Sequence, residues 1–260
     1  MTVETAAKDQ VEHNESPDSR PREAHAQQPP HAVKKKTVQP PPLKHGEQLT
    51  RDEFERRYEA MPHLKKAELI GGIVYMGSPV RADIHGKPHG YIMAWIGVYC
   101  AATPGVDFLD NTTVHLDLDN EVQPDALLRI NEGGSSFLSD EGYIEGAPEL
   151  IVEIAGTSAD YDLHEKLEVY LRNRVTEYIV WQTQEGRLDW FRLVNEEYVP
   201  MVPDTEGLIE SQTFPGLRLA VNALMGGDLA TVLSELQKGL ATTGHSEFVK
   251  QLLEQRNLDI

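Results

Sequence analysis

Two carboxylates lie in apolar surroundings, where an unpaired charge is costly to bury. Asp125 stands at the head of the apolar segment 126–128, and Glu153 lies 28 residues later inside the apolar run Leu150–Ile154. Strand alternation would place Glu153 on one face with Ile151. Two such carboxylates on neighbouring strands would form a hard oxygen site suited to Mg²⁺ or Mn²⁺. A cation there would polarise a phosphate and lower the pKa of water.

Lys166 adds a cation to this set. The segment Asp160–Asn173 has leucines at i, i+4 and i+8, which predicts a helix carrying Lys166 one turn after Asp162. One interpretation is an ordinary ion pair with Asp162 on a solvated face, which contributes about 0.3 kcal/mol. The other places the ammonium over the carboxylates, where it would orient the attacking water or stabilise negative charge on a phosphate.

The remaining pattern predicts the scaffold that must position these side chains. A Gly-Gly pair within Glu68–Met76 indicates a β-hairpin, and Pro88 fits the first turn of a helix ending near Ala102. Further strands are predicted at Val106–Leu109, Thr112–Leu118, Pro124–Ile130, Glu149–Ala155, Glu177–Gln182, Arg187–Val194 and Glu197–Met201. This mixture predicts an α/β fold with a central sheet flanked by helices.

The ends of the chain differ from its middle. Residues 1–47 contain seven of the sixteen prolines and no aromatic residue, so we predict a disordered tail. The folded domain is predicted at 48–222, followed by a C-terminal helical extension at 223–260. The helices of that extension carry apolar residues with no assigned partner, which makes a homodimer plausible; these are Leu229, Val232, Leu233 and Leu236.

Composition limits the classes of function. The net charge of −18 resides outside the tail and opposes non-specific nucleic-acid binding, which depends on neutralising phosphates. It does not exclude a local basic cleft or a site neutralised by metal. No apolar run approaches the ~20 residues of a membrane helix, and the N-terminus lacks the apolar core of a secretory signal. The lone Cys100 excludes an internal disulfide, and we expect a cytoplasmic protein with no membrane partner.

His85 and His89 are four residues apart, as in helical zinc sites. Gly86 and Pro88 lie between them, which predicts that the helix begins after His85. We therefore do not expect these two histidines to share a metal ion.

Several segments together resemble one known family, the Uma-type restriction endonucleases, which are uncharacterised bacterial proteins of the PD-(D/E)XK nuclease superfamily. The resemblance spans about residues 48–240 in the same order. It is carried by Glu68-Leu-Ile-Gly-Gly-Ile-Val-Tyr-Met-Gly-Ser-Pro79, Val122-Gln-Pro-Asp125, Gly146-Ala-Pro-Glu-Leu-Ile-Val-Glu-Ile154, Tyr161-Asp-Leu-His-Glu-Lys-Leu-Glu-Val-Tyr170, Glu177-Tyr-Ile-Val-Trp181 and Phe214-Pro-Gly-Leu217.

The resemblance implies a restriction-endonuclease-like fold and a divalent metal, Mg²⁺ or Mn²⁺. It implies Asp125 and Glu153 as ligands, with the main-chain carbonyl of Ile154 as a third. Glu68 would add a ligand or orient a water, and His89 matches a family histidine at the start of the second helix. Lys166 matches the lysine that the family carries on the helix after the second acid.

The chain departs from the superfamily at one important position. The superfamily lysine normally lies two residues after the second acid, where this chain has Ala155. Activity would therefore depend on Lys166 reaching the site from its helix. The first hypothesis is an endonuclease that cleaves DNA. The second is a catalytically inactive nuclease-fold module that binds protein or nucleic acid, and the third is a metal-dependent hydrolase of a small phosphate substrate.

Overall fold

The computed structural model describes residues 39–77, 79–156 and 158–256. Most of the predicted tail, residues 1–38, lies outside the described residues. Within 39–47 the chain is already packed: Leu43 is buried beside Phe54, and the Gly46 N–H donates to the Val74 carbonyl at 2.8 Å. The predicted boundary at residue 47 therefore falls too late, because an isolated leucine after a proline run gave no periodic signal.

The described residues form fourteen strands and seven α-helices. The strands are β1 (Ala67–Ile70), β2 (Ile73–Met76), β3 (Val106–Asp110), β4 (Val114–Asp117), β5 (Asn120–Val122), β6 (Ala126–Ile130), β7 (Ser136–Leu138), β8 (Ile144–Gly146), β9 (Leu150–Ala155), β10 (Glu177–Gln182), β11 (Arg187–Val194), β12 (Glu197–Met201), β13 (Leu208–Glu210) and β14 (Arg218–Ala220). The helices are α1 (Arg51–Glu59), α2 (Lys87–Ala101), α3 (Ala159–Leu163), α4 (Glu165–Arg172), α5 (Val221–Gly226), α6 (Leu229–Leu240) and α7 (Thr243–Arg256). None of the helices in the described ranges is long and apolar enough to cross a bilayer.

Two six-stranded sheets organise the fold. The central sheet has the order β12-β11-β10-β9-β6-β3, in which only the β9–β10 pair is parallel. The second sheet has the order β2-β1-β5-β4-β8-β7, and β13 pairs with β14 alone. The predicted α/β class with a mixed central sheet flanked by helices is confirmed. The second sheet is a finding of the structure, because its short strands carry little periodicity of their own.

Strand β9 lies inside the central sheet and is buried along its whole length. Leu150, Val152 and Ile154 pack into the core formed with α2, while Ile151 belongs to the core on the opposite face. This is the alternation that the sequence predicts. A strand covered on both faces is expected to be apolar throughout, so the one acid within it needs a specific partner.

The C-terminal helices are part of the main core. Val232 and Leu236 of α6 are fully buried with Trp95 of α2, and Leu229 and Leu233 pack against the same cluster. The apolar face that suggested a homodimer is therefore covered by this chain's own residues. The reason for expecting a dimer is removed.

A π-helical turn leads into α2. Residues Ala82–Gly86 form a π-helical turn, in which the Gly86 N–H donates to the Arg81 carbonyl at 3.0 Å, and α2 follows without a break. The predicted start of the α-helix after His85 is confirmed, because α2 begins at Lys87. The π-helical turn before it is a finding of the structure. His85 and His89 consequently lie side by side, with ring centroids 5.8 Å apart.

Candidate active site

Asp125 and Glu153 lie next to each other across two strands. Antiparallel β6 and β9 pair Ala126 with Val152, so the next step of the ladder brings Asp125 opposite Glu153 on the same face. The Ile154 N–H donates to Asp125 Oδ2 at 2.8 Å, which ties the loop before β6 to β9. Both acids are only 3% exposed. The sequence spacing of 28 residues thus becomes direct adjacency inside the core.

Lys166 reaches this pair from the helix side. The predicted helix 160–173 is divided into α3 and α4 at His164, whose φ of −121° and ψ of −77° break the helical path. Lys166 Nζ lies 2.7 Å from Glu153 Oε1 and 3.0 Å from Glu68 Oε1, whereas Asp162 Oδ1 is 3.8 Å away. Because Lys166 is only 2% exposed, the solvated-face ion pair with Asp162 is excluded.

Glu153 is held by two donors on one of its oxygens. Besides Lys166, the Tyr170 hydroxyl donates to Glu153 Oε1 at 2.9 Å, while Oε2 accepts no hydrogen bond from any described residue. Burial raises the pKa of Glu153; Lys166 opposes this, but Asp125 and Asp162 raise it further. Burial opposes the charge on Lys166, yet its carboxylate neighbours hold its pKa well above the ordinary value.

Asp125 has its own set of partners. Lys66 Nζ lies 3.2 Å from Oδ1, and His85 Nε2 lies 3.1 Å from Oδ2. Burial opposes ionisation, but the hydrogen bond from His85 and the charge of Lys66 hold the pKa of Asp125 below its ordinary value. The Lys66 side chain is 29% exposed, so it marks the solvent side of the site.

The charges of the cluster do not cancel. Asp125, Glu153, Glu68 and Asp162 share the two ammonium groups of Lys66 and Lys166, which leaves an excess of two negative charges when all are ionised and His85 is neutral. The pKa of Asp162 is raised by burial and by the neighbouring acids, although Lys166 opposes this. Buried carboxylates with excess negative charge, one with an oxygen that accepts no hydrogen bond from the described residues, fit a hard divalent cation.

Comparisons with known proteins bear on the family and the fold of the chain. The profile of the Uma2 family, described as "Putative restriction endonuclease", matches residues 51–222, which is more than half of the chain. The chain belongs to the Uma2 family. A crystal structure from Anabaena variabilis, described as a "putative nuclease belonging to DUF820", superposes with a TM-score of 0.53 at 17% identity. It covers 68% of this chain and 98% of its own, and at that identity it shows the fold alone. No curated protein matches the chain.

The residues expected from the Uma2 resemblance lie around Asp125 and Glu153. The contacts of Ile154 and His89 are with the Asp125 carboxylate, the Asp125 main chain and Asp110. Ile154 presents its N–H to Asp125, while its carbonyl accepts from the Gly156 N–H at 3.1 Å. His89 Nε2 lies 2.9 Å from the Asp125 carbonyl and 3.1 Å from Asp110 Oδ1. Its contacts are thus with the main chain of Asp125 and with a second acid.

Glu68 is held from two sides. Its Oε1 accepts from the Gln123 N–H at 2.8 Å and forms an ion pair with Lys166 Nζ at 3.0 Å, so it links β1 to the loop that carries Asp125. Ala155, where the superfamily lysine is usual, is fully buried. The positive charge beside Glu153 therefore comes from α4.

Sequence reasoning missed three side chains of this site. Lys66 precedes Glu68 by two residues, so strand alternation could have placed both on one face. Tyr170 lies four residues after Lys166, and helical spacing could have paired them. His85 gave no usable signal, because its approach to Asp125 depends on the π-helical turn.

Proposed function

We propose that this Uma2 chain is a divalent-metal-dependent endonuclease that hydrolyses phosphodiester bonds in DNA. The observation that carries the proposal is the convergence of buried Asp125, Glu153 and Lys166 in a cluster with excess negative charge. The descriptions of the family and of the Anabaena structure support the nuclease class.

Asp125 and Glu153 are the side chains that would hold Mg²⁺ or Mn²⁺, with the Ile154 carbonyl as a third oxygen donor. When bound, such a cation supplies positive charge to a phosphate and makes water more acidic. The Glu153 oxygen that accepts no hydrogen bond from the described residues is the available donor. The low pKa of Asp125 keeps its carboxylate ionised and ready to bind.

The surrounding residues orient these ligands. Lys166 and Tyr170 hold Oε1 of Glu153, and because the carboxylate is rigid this also fixes the position of Oε2. Lys166 also holds Glu68, which would orient a water next to the acids. His89 holds the main chain of Asp125, while His85 holds its carboxylate. Each ligand therefore has a partner that limits its rotation.

Lys66 is the group best placed to meet the substrate. Its ammonium contacts Asp125, yet its side chain is 29% exposed, whereas that of Lys166 is only 3% exposed. We assign Lys66 to a phosphate oxygen at the mouth of the site, and Lys166 to the charge balance within. The net charge of −18 makes long-range attraction to DNA weak, so recognition has to come from local contacts. A cytoplasmic location, where DNA is reached and Cys100 stays reduced, is part of the proposal.

The deciding experiment is cleavage of supercoiled plasmid by the purified chain with Mg²⁺ or Mn²⁺. We expect metal-dependent nicking by the wild type and a loss of at least about 100-fold in Asp125→Asn. The matched control is Glu177→Gln, which alters another buried acid of the same sheet outside the site. It should cleave at the wild-type rate, and circular dichroism should show that both variants fold.

Three outcomes would replace the proposal. Cleavage by Asp125→Asn at the wild-type rate would remove the mechanism. A folded wild type that neither cleaves DNA nor binds Mn²⁺ by calorimetry would support the inactive binding module instead. Metal-dependent hydrolysis of a small phosphodiester without cleavage of DNA would support a small-phosphate hydrolase.

A further inference from the structure

A second cluster of metal-ligating side chains lies on the other sheet. It consists of Glu55 on α1, His115 on β4 and Glu121 on β5, whose candidate ligand atoms all lie within 4.8 Å of one another. His115 Nε2 is 3.7 Å from Glu121 Oε2 and 3.8 Å from Glu55 Oε1. These separations are too long for hydrogen bonds, so the three side chains surround a gap that they do not close themselves.

Strand register separates this cluster from the acid centre, the site formed by Asp125, Glu153 and Lys166. His115 is paired with Glu121 on one side and with Glu145 on the other, so the three side chains form a row on one face of the sheet. Glu121 is also paired with Leu69, which packs against α1 in a core of its own. Glu68, the residue before Leu69, points to the opposite face and contacts Lys166. The second sheet therefore lies between this cluster and the site of Asp125 and Glu153, to which it contributes Glu68 from its other face.

Two carboxylate oxygens in the cluster are unsatisfied. Glu121 Oε2 and Glu55 Oε1 are buried and have no hydrogen-bond partner in the described part of the chain. Glu121 is only 3% exposed, and Arg51 Nε approaches Glu55 Oε1 at 3.0 Å without the geometry of a hydrogen bond. Leaving such oxygens buried and unpaired costs free energy, and a cation bound between them would remove that cost.

The charges around Glu121 support this explanation. Burial and, after it, the charge of Glu55 raise the pKa of Glu121 to about 8, with smaller contributions from Glu145 and Glu59 and with Arg51 opposing the rise. The single guanidinium thus fails to balance the acids that face the gap.

His115 is oriented as a metal ligand would be. Its Nδ1 lies 2.7 Å from Glu145 Oε1, which accepts the ring N–H, so that in the neutral imidazole the lone pair is on Nε2, facing the two glutamates. The ring of Tyr143 packs on the imidazole with centroids 4.9 Å apart. A carboxylate that holds the far nitrogen of a histidine is the usual support for a zinc-bound imidazole.

We propose that Glu55, His115 and Glu121 bind a divalent transition-metal ion of the zinc class, with Glu145 as the positioning residue. One imidazole and two carboxylates are a donor set that Zn²⁺ accepts, and water would complete its coordination. Bonds of about 2.1 Å in a tetrahedron place ligand atoms about 3.4 Å apart. The two separations from His115 Nε2, 3.7 and 3.8 Å, need to shorten by only a few tenths of an ångström. The ion would fasten α1 to β4 and β5, independently of the proposed nuclease function.

The test measures zinc on the full-length, EDTA-treated chain. Zn²⁺ is titrated by calorimetry, and Co²⁺ is added separately to follow its visible absorption. We expect Glu121→Gln to lose one zinc equivalent and the cobalt band. Glu153→Gln, which alters the acid centre, should keep this zinc equivalent and the cobalt band. His63→Asn, which removes an exposed histidine elsewhere, should keep them as well. The thermal midpoint of the wild type should rise with Zn²⁺, and that of Glu121→Gln should not.

Glu145→Gln gives a second, milder test that does not remove a ligand. We expect it to weaken zinc binding about 10–100-fold, because the imidazole loses its supporting carboxylate. This variant decides the matter if Glu121→Gln does not fold. Equal zinc affinity and stoichiometry in the wild type and in Glu145→Gln would overturn the proposal. So would zinc binding that disappears in Glu153→Gln but persists in Glu121→Gln.

Discussion

Two buried glutamates on neighbouring strands of the central sheet have opposite surroundings. Glu177, at the start of β10, is fully buried and meets neutral donors. These are the indole N–H of Trp190 at 2.9 Å, the Ser211 hydroxyl at 3.0 Å and the amides of Gln212 at 2.8 Å and Thr213 at 2.9 Å. Both of its oxygens are occupied. Its carboxylate therefore anchors the segment 211–213 to the sheet.

Glu153, on the adjacent strand β9, has charged neighbours of both signs. One cation, Lys166, is shared with Glu68 and Asp162, and one Glu153 oxygen has no donor among the described residues. A strand position inside an apolar run is common to both glutamates and does not distinguish them. The difference lies in the donors: a complete neutral set indicates a structural acid, and an incomplete charged set indicates a site for a cation.

The largest effect on stability is expected from Lys166→Met. Removing the ammonium leaves Glu153 and Glu68 buried without their cation, which should lower the free energy of unfolding at neutral pH by about 3–5 kcal/mol. The measurement is urea denaturation followed by circular dichroism. A matched control is Lys250→Met, since the exposed pair of Lys250 with Glu254 should contribute less than about 1 kcal/mol.

The double variant Glu153→Gln/Lys166→Met sharpens this result. It removes both charges, so we expect it to recover part of the stability that Lys166→Met loses. A double variant less stable than the sum of the single ones would show that Glu153 and Lys166 do not act as a pair.

Glu177→Ala should have the next largest effect. It leaves the four neutral donors without an acceptor, so we expect the free energy of unfolding to fall by about 2–3 kcal/mol. Glu177→Gln, which keeps one carbonyl oxygen, should lose less. Urea denaturation of the three proteins tests this order. A Glu177→Ala variant as stable as the wild type would mean that water replaces the carboxylate and that Glu177 is not an anchor.

The smallest effect concerns pH. Burial raises the pKa of Glu177 above its ordinary value of 4.5, although the Thr213 and Ser211 hydrogen bonds oppose the rise. The stabilisation that Glu177 contributes to the free energy of unfolding is therefore fully present below pH 4.5 and is lost as the pH rises through the raised pKa. The stability difference between wild type and Glu177→Gln should shrink as the pH increases from 4.5.

Asp125 should show the opposite dependence of unfolding stability on pH. Its pKa is lowered from 3.8, because His85 and Lys66 outweigh burial. Its contribution is present above pH 3.8 and is lost as the pH falls through the lowered value. Denaturation curves of wild type and Asp125→Asn should therefore converge on acidification. Curves that diverge there would contradict the assigned environment of Asp125.

Much of the scaffold could be predicted from the sequence, because its signals are local. Apolar alternation placed Glu153 on one face of β9, and leucine spacing predicted the helical segment that carries Lys166; the structure has both. The surroundings of Lys166 could not be predicted. Whether a lysine on an amphipathic helix meets water or acids depends on which sheet covers it, and Glu68 comes from a strand far away in sequence.

The remaining differences have the same origin. Leu43 is buried because Phe54 and Val74 form a pocket for it, which no local pattern announces. The apolar faces of the C-terminal helices correctly indicated burial, but the sequence did not show which surface covers them. Val232 is packed in this chain's own core. The cluster of Glu55, His115 and Glu121 combines a helix with two strands of a sheet that the sequence did not predict.

The π-helical turn Ala82–Gly86 sets the rotational phase between α2 and the chain before it. An α-helix advances 100° per residue, so deleting one residue from the wide turn would swing His85 away from Asp125. The body of α2 would stay in place, because Trp95 is fully buried in the core. One residue added or removed in this turn would therefore break the contact between the His85 imidazole and Asp125 and leave the fold intact.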